Sequence, residues 1–208
     1  MVPRLWPTST FLLLASGPSL CNEDLATVAA QSHVKTLTIN STCHVFPDTD
    51  VIFAPDPKWW IWNPTAVELV GFKYGLGQQG QFDARVTALD WTGTEGLERS
   101  PDAVRTGGHG GYAAINLAVH LGASQIILLG YDLAPSPVTG QHHHHADHPD
   151  RSHPNYAYRR AVYHTLVQPL ADRGVVVLNA SRWTTIDAFP CMSLIEALAL
   201  CHPVGTTH

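Results

Sequence analysis

Apolar and polar positions alternate along the chain between short buried-strand patterns and helix-like stretches. Thr10–Ala15 carries Phe11 and three consecutive leucines and predicts a first strand. Val34–Ile39, Asp50–Ala54 and Val175–Leu178 predict three more. The stretch from Asn22 to about Gln31 predicts a helix with Glu23 and Asp24 in its first turn, where the helix dipole favours acids. Lys58–Trp62 predicts the opening of a helix that lays its indoles on the sheet. Tyr156–Arg173 predicts one helix closed by Gly174, and Ser193–Leu200 a short final helix. Gly71–Pro101 is rich in Gly and Gln and shows only Val86–Leu89 as a short strand.

The stretch that organises this pattern is Arg105–Asp132. A turn containing Gly107, Gly108, Gly110 and Gly111 opens a helical run from Tyr112 to Leu121, and Gly122 closes it. Gln125–Gly130 then reads as a buried strand, with Tyr131 and Asp132 at its carboxyl end. Glycines before a helix let a ligand approach the backbone, and the helix N-terminus offers N–H groups and positive dipole character to an anion. Apolar strands alternating with helices predict an α/β fold, a mostly parallel sheet with helices on both faces. Ligands of such sheets gather at the carboxyl ends of the strands.

Composition narrows the picture. The 208 residues suit one domain with a real core, expected to span 1–208 with its core at about 10–185. Hydrophobic content of 45% against 14% charged residues excludes a disordered chain. A net charge of −5, without a Lys or Arg run, excludes the basic face expected of a duplex nucleic-acid binder. Phe11–Ala15 is shorter than a signal-peptide core, and no apolar run reaches the roughly 18 residues of a membrane span. Cys21, Cys43, Cys191 and Cys201 are far apart, lack zinc spacing, and read as mostly buried thiols in a reducing compartment. The expected location is the cytoplasm.

Five groups carry candidate chemistry. Ser16, Gly17, Pro18 and Ser19 follow the first strand as a short turn that suits a phosphate, though without the full dinucleotide or P-loop pattern. Asn40 ends the second strand and offers an amide to a base or ribose, or forms an Asx turn. Asp56 ends the third. Gly108, His109, Gly110 and Gly111 would bring backbone close to a ligand, with His109 at the mouth of the site; Tyr131 and Asp132 stand opposite. The loop Leu133–Pro154 carries His142, His143, His144, His145, His148 and His153. Imidazole suits a general base near neutral pH, which makes His144, His145 and His148, with Asp132, the catalytic candidates. Metal binding by this run needs at least three converging ligands, whereas consecutive residues point in different directions. Tyr156, Tyr158, Arg159 and Arg160 bring phenols and guanidiniums that can hold a leaving phosphate.

Ala15–Leu20, Asn40, and Thr106–Asp132 together resemble a superfamily with two better known branches. These are the bacterial CMP-sialic acid-dependent sialyltransferases and the archaeal-type 6-hydroxymethyl-pterin pyrophosphokinases. Small phage and prophage proteins of the "norphogenetic protein" type are nearest in flavour. They share the Gly-rich helix, the Gly-Tyr-Asp end and a His-rich stretch. The resemblance covers about residues 10 to 185 and implies a Rossmann-like fold, a single domain with a His-rich lid loop at 133–154. It implies that Gly17, Pro18 and Ser19 line nucleotide phosphates and that Asn40 contacts the nucleotide. It places the Gly107–Gly111 turn near the donor sugar, and a base His and leaving-group tyrosines in the lid. The chain differs from the sialyltransferases in having Ser16 where they have Asn, and in placing its His run before its tyrosines.

The resulting expectation is a nucleotide-dependent, glycosyltransferase-like transferase with a small-molecule nucleotide ligand. No cofactor is firmly implied. A CMP-type nucleotide sugar is the donor suggested by the resemblance. Host cytoplasm is the expected location if the chain is phage-encoded. The alternatives are a Mg²⁺-dependent pyrophosphokinase using Asp56 and Asp132, a non-catalytic nucleotide or metabolite binder, and a Zn²⁺ site on the His run.

Overall fold

The structure is a computed structural model that describes residues 1–145 and 155–201. Eight strands form one parallel sheet in the order β6-β5-β4-β3-β2-β1-β7-β8. Its centre is β1 (Ser9–Leu14), flanked by β2 (Lys35–Ile39) and β7 (Ala123–Leu129). On the β2 side follow β3 (Val51–Phe53), β4 (Phe72–Leu76), β5 (Val86–Gly93) and β6 (Ala103–Arg105); β8 (Val176–Asn179) lies outside β7. A sheet covered on both faces explains why β1 is apolar without a break from Phe11 to Leu14 instead of alternating.

Alternate residues serve opposite faces. Phe11, Leu13, Leu37 and Ile39 pack on one side with helix α3 (Gly110–Leu121) and with α5 (His164–Ala171). Leu12, Leu14, Ile127 and Leu129 pack on the other with α1 (Asn22–Ala29) and α6 (Leu194–Ala199). Each such fully buried side chain contributes about 2 kcal/mol of transfer free energy. Ile52 packs with Trp59 and Trp60 of α2 (Pro57–Trp62). The indoles therefore lie on the sheet as the sequence predicts, except Trp62, which is largely exposed. Helix α3 is buried on almost every side because it carries the chain from the β6 edge back to β7, directly across the sheet.

Three expectations are corrected. Gly71–Pro101 contains two strands, β4 and the eight-residue β5, and β6 follows it. Tyr156–Arg173 is not one helix but α4 (Tyr156–Ala161) and α5. Between them the backbone tightens to i→i−3 bonding, from Tyr163 N–H to Arg160 O and from Thr165 N–H to Val162 O. Of the cysteines only Cys43 is buried, and all four are free thiols. No helix among the described residues is long and apolar enough to cross a membrane.

Candidate functional site

The carboxyl ends of β1, β2, β3 and β7 open onto a cavity of about 540 Å³. The size suits a small-molecule ligand. Strand order reverses at β1, with β2 on one side and β7 on the other, so the cavity lies at the topological switch point.

Ser16 and Gly17 line this cavity; Pro18 and Ser19 do not. The Gly17 and Ser19 donors of the turn are already engaged. Gly17 N–H bonds to Gly130 O at 2.9 Å, and Ser19 N–H to Asp132 Oδ2 at 2.7 Å. Pro18 has no N–H. The Gly17 and Ser19 N–H groups are thus committed within the fold, and Ser16 is the polar residue of the turn that meets the cavity. Gly17 is needed for close packing: a Cβ there would lie 2.3 Å from Gly130 O and 2.6 Å from Asp132 Cγ. Asp132 is 1% exposed, and the Ser19 hydroxyl donates to its Oδ1 at 2.5 Å. Burial lifts its carboxyl to about 6, while the two Ser19 donors pull the other way. Both oxygens are thus engaged in joining two strand ends.

Asn40 lines the cavity in a left-handed conformation, φ 52°, at the start of a 3₁₀ turn, Asn40–His44. The next residue, Ser41, accepts a hydrogen bond from Trp59 Nε1 at 3.1 Å, which sets that indole against the cavity wall. Asp56 also lines the wall and caps α2, its Oδ1 accepting from Lys58 N–H at 2.9 Å.

The first turn of α3 brings Gly110 and Gly111 to the cavity. Gly108 is exposed and off the wall, beside the half-exposed Tyr158, which is also off it. His109 also lines the cavity and is partly exposed as a residue. Its Nε2 is enclosed without a hydrogen-bond partner, and burial, with Arg159 nearby, holds the ring neutral at a pKa of about 3. Tyr131, 3% exposed, donates to Gly111 O at 3.1 Å, and burial pushes its phenol well above the usual range.

The His run lies across the cavity as a strap. His142 Nδ1 stands 2.7 Å from the Tyr156 hydroxyl with the rings stacked. His143 Nδ1 lies 3.3 Å from Ser16 Oγ. His144 N–H bonds to Ser16 O at 3.0 Å, while its Nε2 lies 3.2 Å from Thr42 Oγ1. His142, His143 and His145 line the cavity, and His143 and His145 are stacked at 5.2 Å. His144 is turned away from it. Burial, then the neighbouring His145 and His143, lower its pKa to about 4. His148 and His153 lie outside the described residues. Among the described residues no three His, Cys, Asp or Glu side chains converge as a metal site.

The sequence reading missed Trp59 and Tyr163 as wall residues and named Tyr158, which is off the wall. The face that meets the cavity is Tyr156, Arg159 and Tyr163, spaced three and four apart. That spacing was a usable signal. Burial lowers the pKa of the Arg159 guanidinium, which the Tyr156 and Tyr163 phenols partly offset.

These features define an open α/β sheet with a ligand cavity at its switch point. No known protein-family profile matches the chain, and no curated protein matches it in sequence. Among solved structures the fold is similar to the MAf glycosyltransferase from Magnetospirillum magneticum AMB-1, with a TM-score of 0.60 and 13% identity. The superposition covers 96% of this chain and 36% of that one, so the chain spans about a third of its length. At this identity the likeness is one of fold: the chain has a Rossmann-like α/β architecture.

Proposed function

We propose that the chain is a nucleotide-dependent transferase that moves a sugar from a nucleotide-sugar donor to a hydroxyl acceptor. One observation carries this reading. A single cavity at the switch point is lined by His143 and His145, by the first turn of α3, and by Tyr156 and Arg159. In the reaction an imidazole nitrogen of His143 or His145 takes the acceptor's hydroxyl proton. The acceptor oxygen attacks the anomeric carbon as the bond to the donor phosphate breaks. The bonding electron pair leaves on the phosphate oxygen, and the Tyr156 hydroxyl and Arg159 donate hydrogen bonds to it. Asn40 and Asp56 on the cavity wall offer polar groups to the nucleoside.

The finer reading is a CMP-type donor and a phage-type protein of the host cytoplasm, and it rests on the resemblance carried by Ala15–Leu20 and Thr106–Asp132. A thermal-shift panel tests it, using CMP, CDP, UDP, GDP, ADP, ATP and CMP-sialic acid, each with and without Mg²⁺ or Zn²⁺. A ligand at 100 times its Kd stabilises the fold by about 2.7 kcal/mol. A metal-independent shift confined to one nucleotide family, followed by release of that nucleotide from its sugar, supports the proposal. A shift only with ATP and Mg²⁺ replaces it with pyrophosphate transfer, and a shift with Zn²⁺ alone replaces it with a metal site on the His run. Tight binding without turnover replaces it with a nucleotide-sequestering role.

A further inference from the structure

We propose that Arg159, the Tyr163 hydroxyl, His109 Nε2 and the first turn of α3 form a subsite for a single oxyanion at the back of the cavity. The proposal deepens the transferase reading by naming the chemical group through which a ligand is held. It can be tested without turnover.

The argument starts from two enclosed polar atoms. His109 Nε2 and Tyr163 Oη are sealed from solvent, and neither has a hydrogen-bond partner among the described residues. Such groups call for a partner, since a buried donor left unpaired is rare in folded proteins. Both stand against one short piece of backbone. A Cβ on Gly111 would lie 3.0 Å from Tyr163 Oη and 3.3 Å from His109 Nδ1. The two rings are 5.3 Å apart. That backbone is the first turn of a twelve-residue helix with no side-chain cap. The leading N–H groups of a helix have no partner within it, and the dipole there favours negative charge.

Arg159 completes the set. It lines the same cavity, and its charge acts on His109, Tyr156 and Tyr163. Arg159 has no carboxylate partner among the described residues, and it is the arginine that lines the cavity. The two acids on the wall are engaged elsewhere, Asp132 by Ser19 and Asp56 by Lys58 N–H. The set is rich in donors. A guanidinium and backbone N–H groups only donate, a phenol can donate, and a neutral imidazole donates through one nitrogen. A sugar hydroxyl wants both a donor and an acceptor; an oxyanion wants donors alone. One cationic side chain matches one anionic group. A phosphate and a sugar carboxylate share this chemistry.

The test is calorimetric titration of the whole chain with inorganic phosphate and, separately, with glucuronate. Wild type, Arg159→Met and Tyr163→Phe are compared, with circular dichroism confirming the fold of each. Tyr163→Phe keeps the buried ring, so it reports on the hydroxyl even if Arg159→Met perturbs α4. One anion is expected to bind wild type at millimolar concentration. Arg159→Met should weaken it at least about tenfold, as for the loss of a charge-assisted hydrogen bond, and Tyr163→Phe should weaken it less. Selectivity for phosphate assigns the subsite to a donor phosphate; selectivity for glucuronate assigns it to an acidic sugar. Binding of neither anion overturns the proposal, as does unchanged affinity in both variants. Anion binding that depends on Arg159, in a protein that turns over no nucleotide sugar, keeps the subsite and removes the transferase reading. Turnover with the same kcat/KM in wild type and Arg159→Met removes the subsite and keeps the transferase.

Discussion

Asp132, just past β7, holds Ser19 by both its backbone N–H and its hydroxyl, at 2.7 and 2.5 Å, across 113 residues of chain. The bonds tie the turn after β1 to the end of β7 at the point where the sheet changes direction. Burial raises the Asp132 carboxyl from 3.8 to about 6. A folded-state pKa above the unfolded one means that the native state holds the proton more tightly. Its stabilising effect is therefore complete below pH 4 and lost as pH rises through 6. The loss is roughly 3 kcal/mol for a shift of this size. Asp132→Asn cannot titrate, so its stability deficit relative to wild type should shrink by about that amount between pH 4 and pH 7. Urea denaturation of both proteins at several pH values checks this; a constant gap refutes it.

His144 behaves in the opposite sense. Its pKa lies below the ordinary imidazole value, at about 4. The stability it contributes is present above pH 6.5 and is lost as pH falls through 4. An NMR titration of the His144 ring should give a midpoint near 4, and His144→Ala should flatten the acid limb of the stability curve. A midpoint near 6.5 would mean that the ring is in solvent and away from Thr42.

Gly17 is predicted to be intolerant for packing reasons. Gly17→Ala drives a methyl group into Gly130 O and the Asp132 carboxylate. It should destabilise the protein by about 3 kcal/mol. Gly80→Ala, where an added Cβ meets nothing within 4 Å, should change stability by less than about 0.5 kcal/mol. Thermal unfolding of the two variants side by side is the measurement.

Replacing the cavity-lining imidazoles should separate binding from chemistry. His143→Asn with His145→Asn is expected to lower kcat by about a hundredfold or more while nucleotide affinity changes little. His144→Ala alone should leave a larger residual rate, because its ring faces Thr42. Steady-state kinetics against nucleotide titrations resolve the two, and equal losses in rate and affinity would remove the base assignment.

The central strands were readable because burial on both faces writes itself as unbroken apolar runs, as in Phe11–Leu14 and Ile126–Leu129. β4 was not. Its Lys73 is buried by curling back onto Gly71 O, and Gly75 packs under Phe82, so neither residue looks like a strand interior in isolation. β6 is three residues long and is held by its neighbour β5. In the site, the strand-end rule found Ser16, Asn40, Asp56 and Asp132 on the cavity wall. It could not see that Ser19 would use up the oxygens of Asp132, because that pairing joins distant segments. Nor could a run of four histidines announce that His142, His143 and His145 would line the cavity while His144 turns to Thr42.

The sheet ends in short strands on both sides. On one side the edge strand is Ala103–Arg105, and the register of β5 beside it is irregular between Trp91 and Gly93. On the other, the chain around Pro190–Met192 covers the end of β8 by bonding to Asn179. A second molecule seeking to extend the sheet finds no long, flat template at either border. The central strands are strongly apolar and would be prone to aggregate if bared, so these frayed borders make the folded protein a poor seed for its own fibres.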